Sequence, residues 1–318
     1  MSHSRRYRPV CLGLNLSAAM SNRTQVVLDA WSIPLGVNLS LCLTALFYIV
    51  GWLRVRKAFL HLIPAWRLAA FLIGLASIWI AIGSPLAAFD DISFSVHMVQ
   101  HLLLIAVAPP LILLGAPSLP ILCGIPKWIL HGAGGEVLRW APLQRFGRFV
   151  TNPAVCWIVA SVALLGWHVP AAFELALRSE PWHEVEHAFF FTTSILFWWP
   201  VIQPFPSVAR WPQWSLPVYL FIGMLPGGAL AAFLTFCDRV PYPTYAAGSP
   251  LFGFSPLEDQ ICGGALMWVA GTIAYVVPAV LLICRLLSLP ETLPQGTPGI
   301  VPPRIVSPSF NASREEIV

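Results

Sequence analysis

Charge is scarce in this chain: only 10% of its 318 residues are Asp, Glu, Lys or Arg, where a soluble domain carries roughly 25%. That deficit excludes an ordinary soluble globular domain. The seven cysteines include no C-x-x-C pair, so neither a zinc ribbon nor a thioredoxin-type redox centre is signalled. There is no Walker A loop and no G-x-G-x-x-G fingerprint, which argues against a nucleotide-driven pump. No internal repeat and no polar path towards the cytoplasmic half speaks for a transporter, and no nucleic-acid partner is expected.

What the chain has instead is apolar length. It is 57% hydrophobic with a mean hydropathy of +0.74, and its apolar runs approach the ~20 residues that cross a bilayer. Seven spans are expected, at about 34–53, 66–83, 94–115, 153–170, 183–202, 215–236 and 261–284. The expected fold is therefore an all-α polytopic membrane helical bundle of about seven transmembrane helices over residues 31–288. Residues 1–30 read as an N-terminal tail, a weak signal peptide over Val10 to Ala19, or a misassigned start with Met20 as the true one. The Pro-rich stretch 289–318 lacks periodicity and reads as a disordered cytoplasmic tail.

Breakers interrupt these spans, notably Pro109-Pro110 and Pro226-Gly227-Gly228. Membrane helices tolerate them where neighbours satisfy the freed backbone groups. The long third loop, with Trp128, Leu138, Trp140 and interspersed Arg, suits an interfacial helix.

Orientation follows from Lys and Arg, which collect in cytoplasmic loops. The first loop holds Arg54, Arg56, Lys57 and Arg67 without an acid, and the third holds Lys127, Arg139, Arg145 and Arg148 against Glu136. Arg210 lies in the fifth loop and Arg285 follows the last span. The alternate loops hold Arg178 and Arg239 beside Asp90, Asp91, Glu174, Glu180, Asp238, Glu258 and Asp259. This places the N-terminus outside and the C-terminus in the cytoplasm. Arg5, Arg6, Arg8 and Arg23 dissent and are set aside with the tail.

On that topology five of the eight histidines converge at the outer face. His97 and His101 lie at the outer start of the third span, His168 at the outer end of the fourth, and His183 and His187 at the outer start of the fifth. The other three, His3, His61 and His131, read as solvated. Each pair is spaced i, i+4 and so shares one helical face with Cβ atoms ~6 Å apart. Imidazoles so placed can hold one metal at ~2.0–2.1 Å per nitrogen, and ionisable groups inside spans usually face a cavity, a partner or a functional path. Interhelical hydrogen bonding is the plainer account of any one of them, but five on one side favour a metal centre.

Imidazole does not separate copper from zinc; soft sulfur would favour Cu(I). Met98 points away from the His97/His101 face, and Met224 and Met267 read as packing residues. Asp90, Asp91, Glu184, Glu186 and Asp259 are candidates for orienting imidazoles or attracting cations, with Gln260 and Cys262 supporting them. Cys237 and Cys262 are expected near the outer face, where an oxidising compartment would allow a disulfide. Cys42, Cys156 and Cys284 read as small buried hydrophobes.

The stretch His183-Glu184-Val185-Glu186-His187 also fits the zinc-protease motif H-E-x-x-H. An intramembrane zinc metalloprotease with Glu184 as base is thus an alternative, although the second pair, His97 and His101, has no place in a three-ligand zinc site. A bis-His haem oxidoreductase is another, with His101 facing His168 or His187. Pairs spaced four apart within one helix suit a small ion better than a macrocycle.

The run HMVQHLLLIAVAPPLILLGAP (97–117) resembles the hallmark of the CtaG membrane family, linked to assembly of caa3-type cytochrome c oxidase. GWHVPAAFELAL (166–177), HEVEHAFFFTTSILFWWPVI (183–202) and EDQICGGALMW (258–268) agree in order, so the resemblance spans about 34–285. It implies an assembly factor and metallochaperone rather than an enzyme. Such a factor, in a bacterial plasma membrane, would bind copper at the outer histidine cluster and aid its delivery to cytochrome c oxidase subunits, drawing on a periplasmic copper donor. Asp259 and Gln260 would support the site from the seventh helix.

Overall fold

The computed structural model describes residues 35–58, 64–126, 141–204, 211–246 and 253–288. Among them there is no strand. The helices run in chain order as α1 Leu35–Ala58, α2 Ala65–Gly83, α3 Leu86–Phe89, α4 Phe94–Leu102, α5 Ala108–Leu114, α6 Ser118–Gly124, α7 Ala141–Val150, α8 Pro153–Trp167, α9 Pro170–Leu177, α10 Glu180–Ile202, α11 Ser215–Phe236, α12 Pro243–Ala246 and α13 Pro256–Ser288. A π-helical stretch, Leu103–Val107, joins α4 to α5 in one continuous rod. The terminal tails, His3, His61, His131 and the loop carrying Trp128, Leu138 and Trp140 lie outside the described residues.

Six of these units are long and apolar enough to cross a membrane: Leu35–Arg56, Ala65–Phe89, Phe94–Leu114, Glu180–Ile202, Ser215–Phe236 and Pro256–Ser288. The chain is an all-α polytopic bundle, as its hydropathy requires. The fourth expected span, 153–170, is shorter than the sequence suggests. It ends at Trp167 after 15 residues and meets the preceding helix at 65°. The break is local chemistry: Asn152 Oδ1 accepts from Ala154 N at 2.9 Å while Pro153 takes the first helical position, so a new helix starts there. The last helix starts at Pro256 rather than near 261, which puts Asp259 and Gln260 inside its first turns.

The outward face is apolar, with Leu39, Ile73, Val162, Phe221 and Val269 all exposed. In hydrocarbon such faces gain nothing by being buried, so packing and hydrogen bonds must hold the helices together. Two glycines show the packing. A Cβ on Gly51 of α1 would stand 1.7 Å from the Pro120 carbonyl oxygen, and one on Gly124 of α6 would stand 1.8 Å from that of Phe47. The two backbones touch because neither side has a side chain.

The hydrogen bonds follow from the prolines. Neither Pro109 nor Pro110 has an N–H, so the Ile105 carbonyl lacks a donor both at i+4 and at i+5. The Trp198 indole of α10 donates to it at 3.1 Å. Within α11, Pro226 likewise deprives the Ile222 carbonyl, and the Trp157 indole of α8 donates there at 3.2 Å. Helix ends are met in the same way: Tyr48 Oη donates to the Gly115 carbonyl at 2.6 Å, Gln100 to that of Ala81 at 2.9 Å, and Gln260 to that of Leu234 at 3.0 Å. Polar side chains on one helix thus satisfy the backbone defects of the next.

Candidate functional site

Helix α4 carries His97 and His101, α10 carries His183, Glu186 and His187, and His168 terminates α8. Ser93 makes no side-chain cap within α4. The Asp259 carboxylate of α13 does that work from outside, accepting from Phe94 N at 2.7 Å, Ser95 N at 3.2 Å and the Ser93 hydroxyl at 3.0 Å. A carboxylate at a helix N-terminus is favoured by both the free N–H groups and the macrodipole. It fixes the start of α4, and with it the height of the first histidine pair.

The five histidines meet. His97 Nε2 and His101 Nε2 are 2.8 Å apart, and ring centroids lie at 4.2 Å for His183–His187, 5.1 Å for His97–His183, 5.6 Å for His101–His187 and 5.7 Å for His101–His168. Ligand atoms of His97, His183 and His187 fall within 4.8 Å of one another, as do those of His97, His101 and Glu186. Glu186 is fully buried, with its oxygens 3.7 Å from His101 Nε2 and 3.9 Å from His97 Nε2. Neither oxygen has a hydrogen-bond donor among the described residues. His183 is the most accessible member, 19% exposed at its side chain, with Nε2 3.8 Å from Asp90 Oδ2. Burial pushes the Asp90 carboxyl up to about 7.

Outer partners set two tautomers. Tyr245 Oη donates to the Asp90 carbonyl, so at its 3.0 Å contact with His97 Nδ1 the phenol oxygen must accept. His97 therefore carries its proton on Nδ1 and presents a lone pair at Nε2. His168 Nδ1 lies 2.8 Å from the Leu164 carbonyl, which can only accept. Its Nε2 lone pair faces the interior without a partner among the described residues. A nitrogen oriented by a bond at the opposite side of its ring is the usual arrangement of a metal-binding imidazole. The cluster gathers imidazole and carboxylate donors, a set that accepts copper or zinc.

A family model describing the cytochrome c oxidase caa3 assembly factors (Caa3_CtaG) matches residues 46–288. The chain belongs to that family. Among curated relatives, this family member is 25% identical over 272 residues to an uncharacterized protein of Mycobacterium bovis, covering 81% of this chain and 40% of that one. An uncharacterized protein of Mycobacterium leprae is 24% identical over 285 residues, 83% of this chain and 39% of its own length. The chain thus spans about two fifths of the length of the curated relatives it matches. No solved structure matches it.

Several of the expected supporting residues lie outside the cluster. Glu184 is exposed, and Glu186 is the acid inside the cluster. The reason is helical phase: His183, Glu186, His187, Phe190 and Thr193 share the stripe that α10 turns inward. Asp259 acts through the N-terminus of α4, and Gln260 binds the carbonyls of Leu234 and Arg239, away from the imidazoles. Cys262 joins neither ligand grouping. Cys237 and Cys262 are both free thiols, so the disulfide does not form. Cys42 and Cys284 are exposed on outer helix faces rather than buried, while Cys156 is buried and donates to the Val150 carbonyl at 3.1 Å. Met98 packs among Phe94, Phe173 and Tyr242, away from the site as expected.

The sequence reading missed Tyr242 and Tyr245. Both come from Val240-Pro241-Tyr242-Pro243-Thr244-Tyr245, where two tyrosines three residues apart in a short loop were the available signal. Tyr242 Oη donates to the His168 carbonyl at 3.0 Å. Glu174 of α9 holds the loop, accepting from Thr244 N at 3.0 Å and Thr244 Oγ1 at 2.8 Å, with Arg178 at 2.9 Å.

Proposed function

We propose that this family member acts in oxidase assembly by taking up a copper ion in the cluster of His97, His101, His168, His183 and His187, on the outer side of the membrane, and passing it to a cytochrome c oxidase subunit. The observation that carries the reading is the pair of imidazoles, His97 and His168, whose Nδ1 protons are tied to outer acceptors so that both Nε2 lone pairs turn inward. Glu186 supports it. A buried carboxyl with no donor is costly in a low-dielectric interior, and a bound cation would give it a partner. Imidazole and carboxylate accept copper or zinc, and membership of the caa3 assembly factors is what favours copper.

Five imidazoles exceed what one ion needs, and the surplus suits a donor. An ion that can exchange one histidine for another moves without being stripped of all ligands at once. His183, beside Asp90 and partly exposed, is the natural point of access, and the four more deeply buried rings hold the ion behind it. Copper is cargo here, and no bond of a substrate is broken. Hydrolysis fits the geometry less well, since Glu184, the base the protease motif requires, is exposed on the helix face outside the cluster. Haem fits less well too, because the pairs that would face each other across it, His101 with His187 or His168, have ring centroids only 5.6 and 5.7 Å apart, too near for a macrocycle between them.

The test is metal content and absorption of the purified protein, wild type beside His101→Ala/His187→Ala, with oxidase maturation scored in cells. Copper should be present in the first and absent from the double variant, with maturation lost in parallel, while Glu184→Gln retains both. Normal oxidase activity in the histidine variants would overturn the ligand assignment. Firmly held zinc would restore the protease reading, and a Soret band the haem reading.

A further inference from the structure

A second cavity adjoins the histidine cluster. It has a volume of about 60 Å³, and its lining includes His101, His168, Met224, Met267, Gly227 and Tyr275. A cavity needs roughly 10–15 Å³ on this measure to hold a water, so an ion fits with room to spare. Of the three methionines among the described residues, two line this one space, from α11 and α13, which pack along each other. Met98, the third, does not line it and is enclosed in an aromatic cluster against which Met267 packs from one side. His168, only 5% exposed, lines the cavity and has an Nε2 without a partner among the described residues.

We infer that Met224, Met267 and His168 form a second position for a soft monovalent metal ion, distinct from the histidine–carboxylate cluster and adjoining it. The chemistry selects the class of ion. Besides the two histidines, the lining carries no ionisable side chain other than the Tyr275 phenol, so a hard, strongly hydrated cation would lose its water shell with little in return. Thioether sulfur and imidazole nitrogen together suit Cu(I) and its class. His168 stands between the two places, its ring 5.7 Å from that of His101, and can serve either. An ion leaving the cluster thus has an adjoining sulfur-lined position to occupy, with its methionines on α11 and α13. The assignment goes beyond the histidine-cluster reading and does not depend on it.

Silver(I), redox-inert and of the same class, is the probe. The purified full chain in detergent, with its seven cysteines replaced by serine so that no thiol competes for the ion and this background serving as wild type, would be titrated with Ag(I) and its bound stoichiometry measured, with X-ray absorption on the loaded protein. Wild type should bind two ions and show sulfur scatterers. Met224→Leu/Met267→Leu, nearly isosteric changes that cores tolerate, should lose one ion and the sulfur signal. Met98→Leu should lose neither. His183→Ala/His187→Ala, whose residues do not line the cavity, reads the histidine cluster separately: its failure to lose an ion would sink the cluster reading and leave the methionine position standing. An unchanged stoichiometry in the Met224/Met267 variant would overturn the second position, as would an equal loss in Met98→Leu.

Discussion

Tyr245 and His97 are 148 residues apart in sequence, yet the phenol oxygen of one lies 3.0 Å from Nδ1 of the other. Because the tyrosine's own proton is committed to the Asp90 carbonyl, this contact decides which nitrogen of His97 keeps its lone pair. The consequence is specific. Tyr245→Phe keeps the ring and its packing against Phe94 and Phe173 but removes the acceptor.

Copper affinity in Tyr245→Phe should fall by about 10–100-fold, the usual loss when the outer partner of a ligating imidazole is removed. Competition titration against a copper chelator measures it, with thermal unfolding as the control for fold. An affinity within twofold of wild type would mean that His97 does not depend on the phenol.

Glu174 gives a pH dependence. Burial alone would raise its carboxyl, but hydrogen bonds from Thr244 and Arg178 outweigh that and bring it below the usual carboxylate range. A group whose folded value lies below its unfolded one contributes stability above the unfolded value, near 4.3, and loses it as pH falls through the folded value. Acidification from about pH 6 towards 3.5 should therefore destabilise wild type more than Glu174→Gln. The quantity to follow is the difference in Tm between the two across that range; parallel curves would leave the carboxylate no role in holding the Tyr242–Tyr245 loop.

Much of the site was legible because helices are periodic. The i, i+4 spacing of His97/His101 and His183/His187, with alternating loop charge, was enough to bring five histidines to one end of the bundle. The choice of Glu186 over Glu184 needed the longer stripe through Phe190, Thr193 and Phe197, which the protease motif obscured. Tyr245 was beyond reach, since it sits in a four-residue helix with no period to read and acts across the fold. Pro109 and Pro226 announced missing donors, but which indole would supply each one is a property of tertiary packing.

Close backbone contact between α1 and α6 rests on Gly51. A methyl group there would lie 1.7 Å from the Pro120 oxygen, a distance no side-chain rotation can relieve. Gly51→Ala should sharply reduce folded yield from membranes. Gly271→Ala, with nothing within 4 Å of the new carbon, should not. Equal yields, measured by detergent-resistant monodisperse protein on size exclusion, would show that α1 can slide away at little cost.

Trp198 makes the sharpest energetic prediction. Its indole donates to the Ile105 carbonyl at 3.1 Å, and Pro109 and Pro110 leave that oxygen no helical donor of either period. Trp198→Phe should destabilise by about 1–3 kcal/mol for the orphaned carbonyl, beyond the packing loss of the smaller ring. A double-mutant cycle separates the two contributions. Pro109→Ala supplies an N–H that can bond Ile105 within the rod, so in that background the Trp198→Phe penalty should shrink to its packing part. Unfolding in detergent, followed by the change in midpoint, gives all four corners of the cycle. If Trp198→Phe costs the same with and without Pro109, the indole is a packing residue and the π-helical stretch is held by something else.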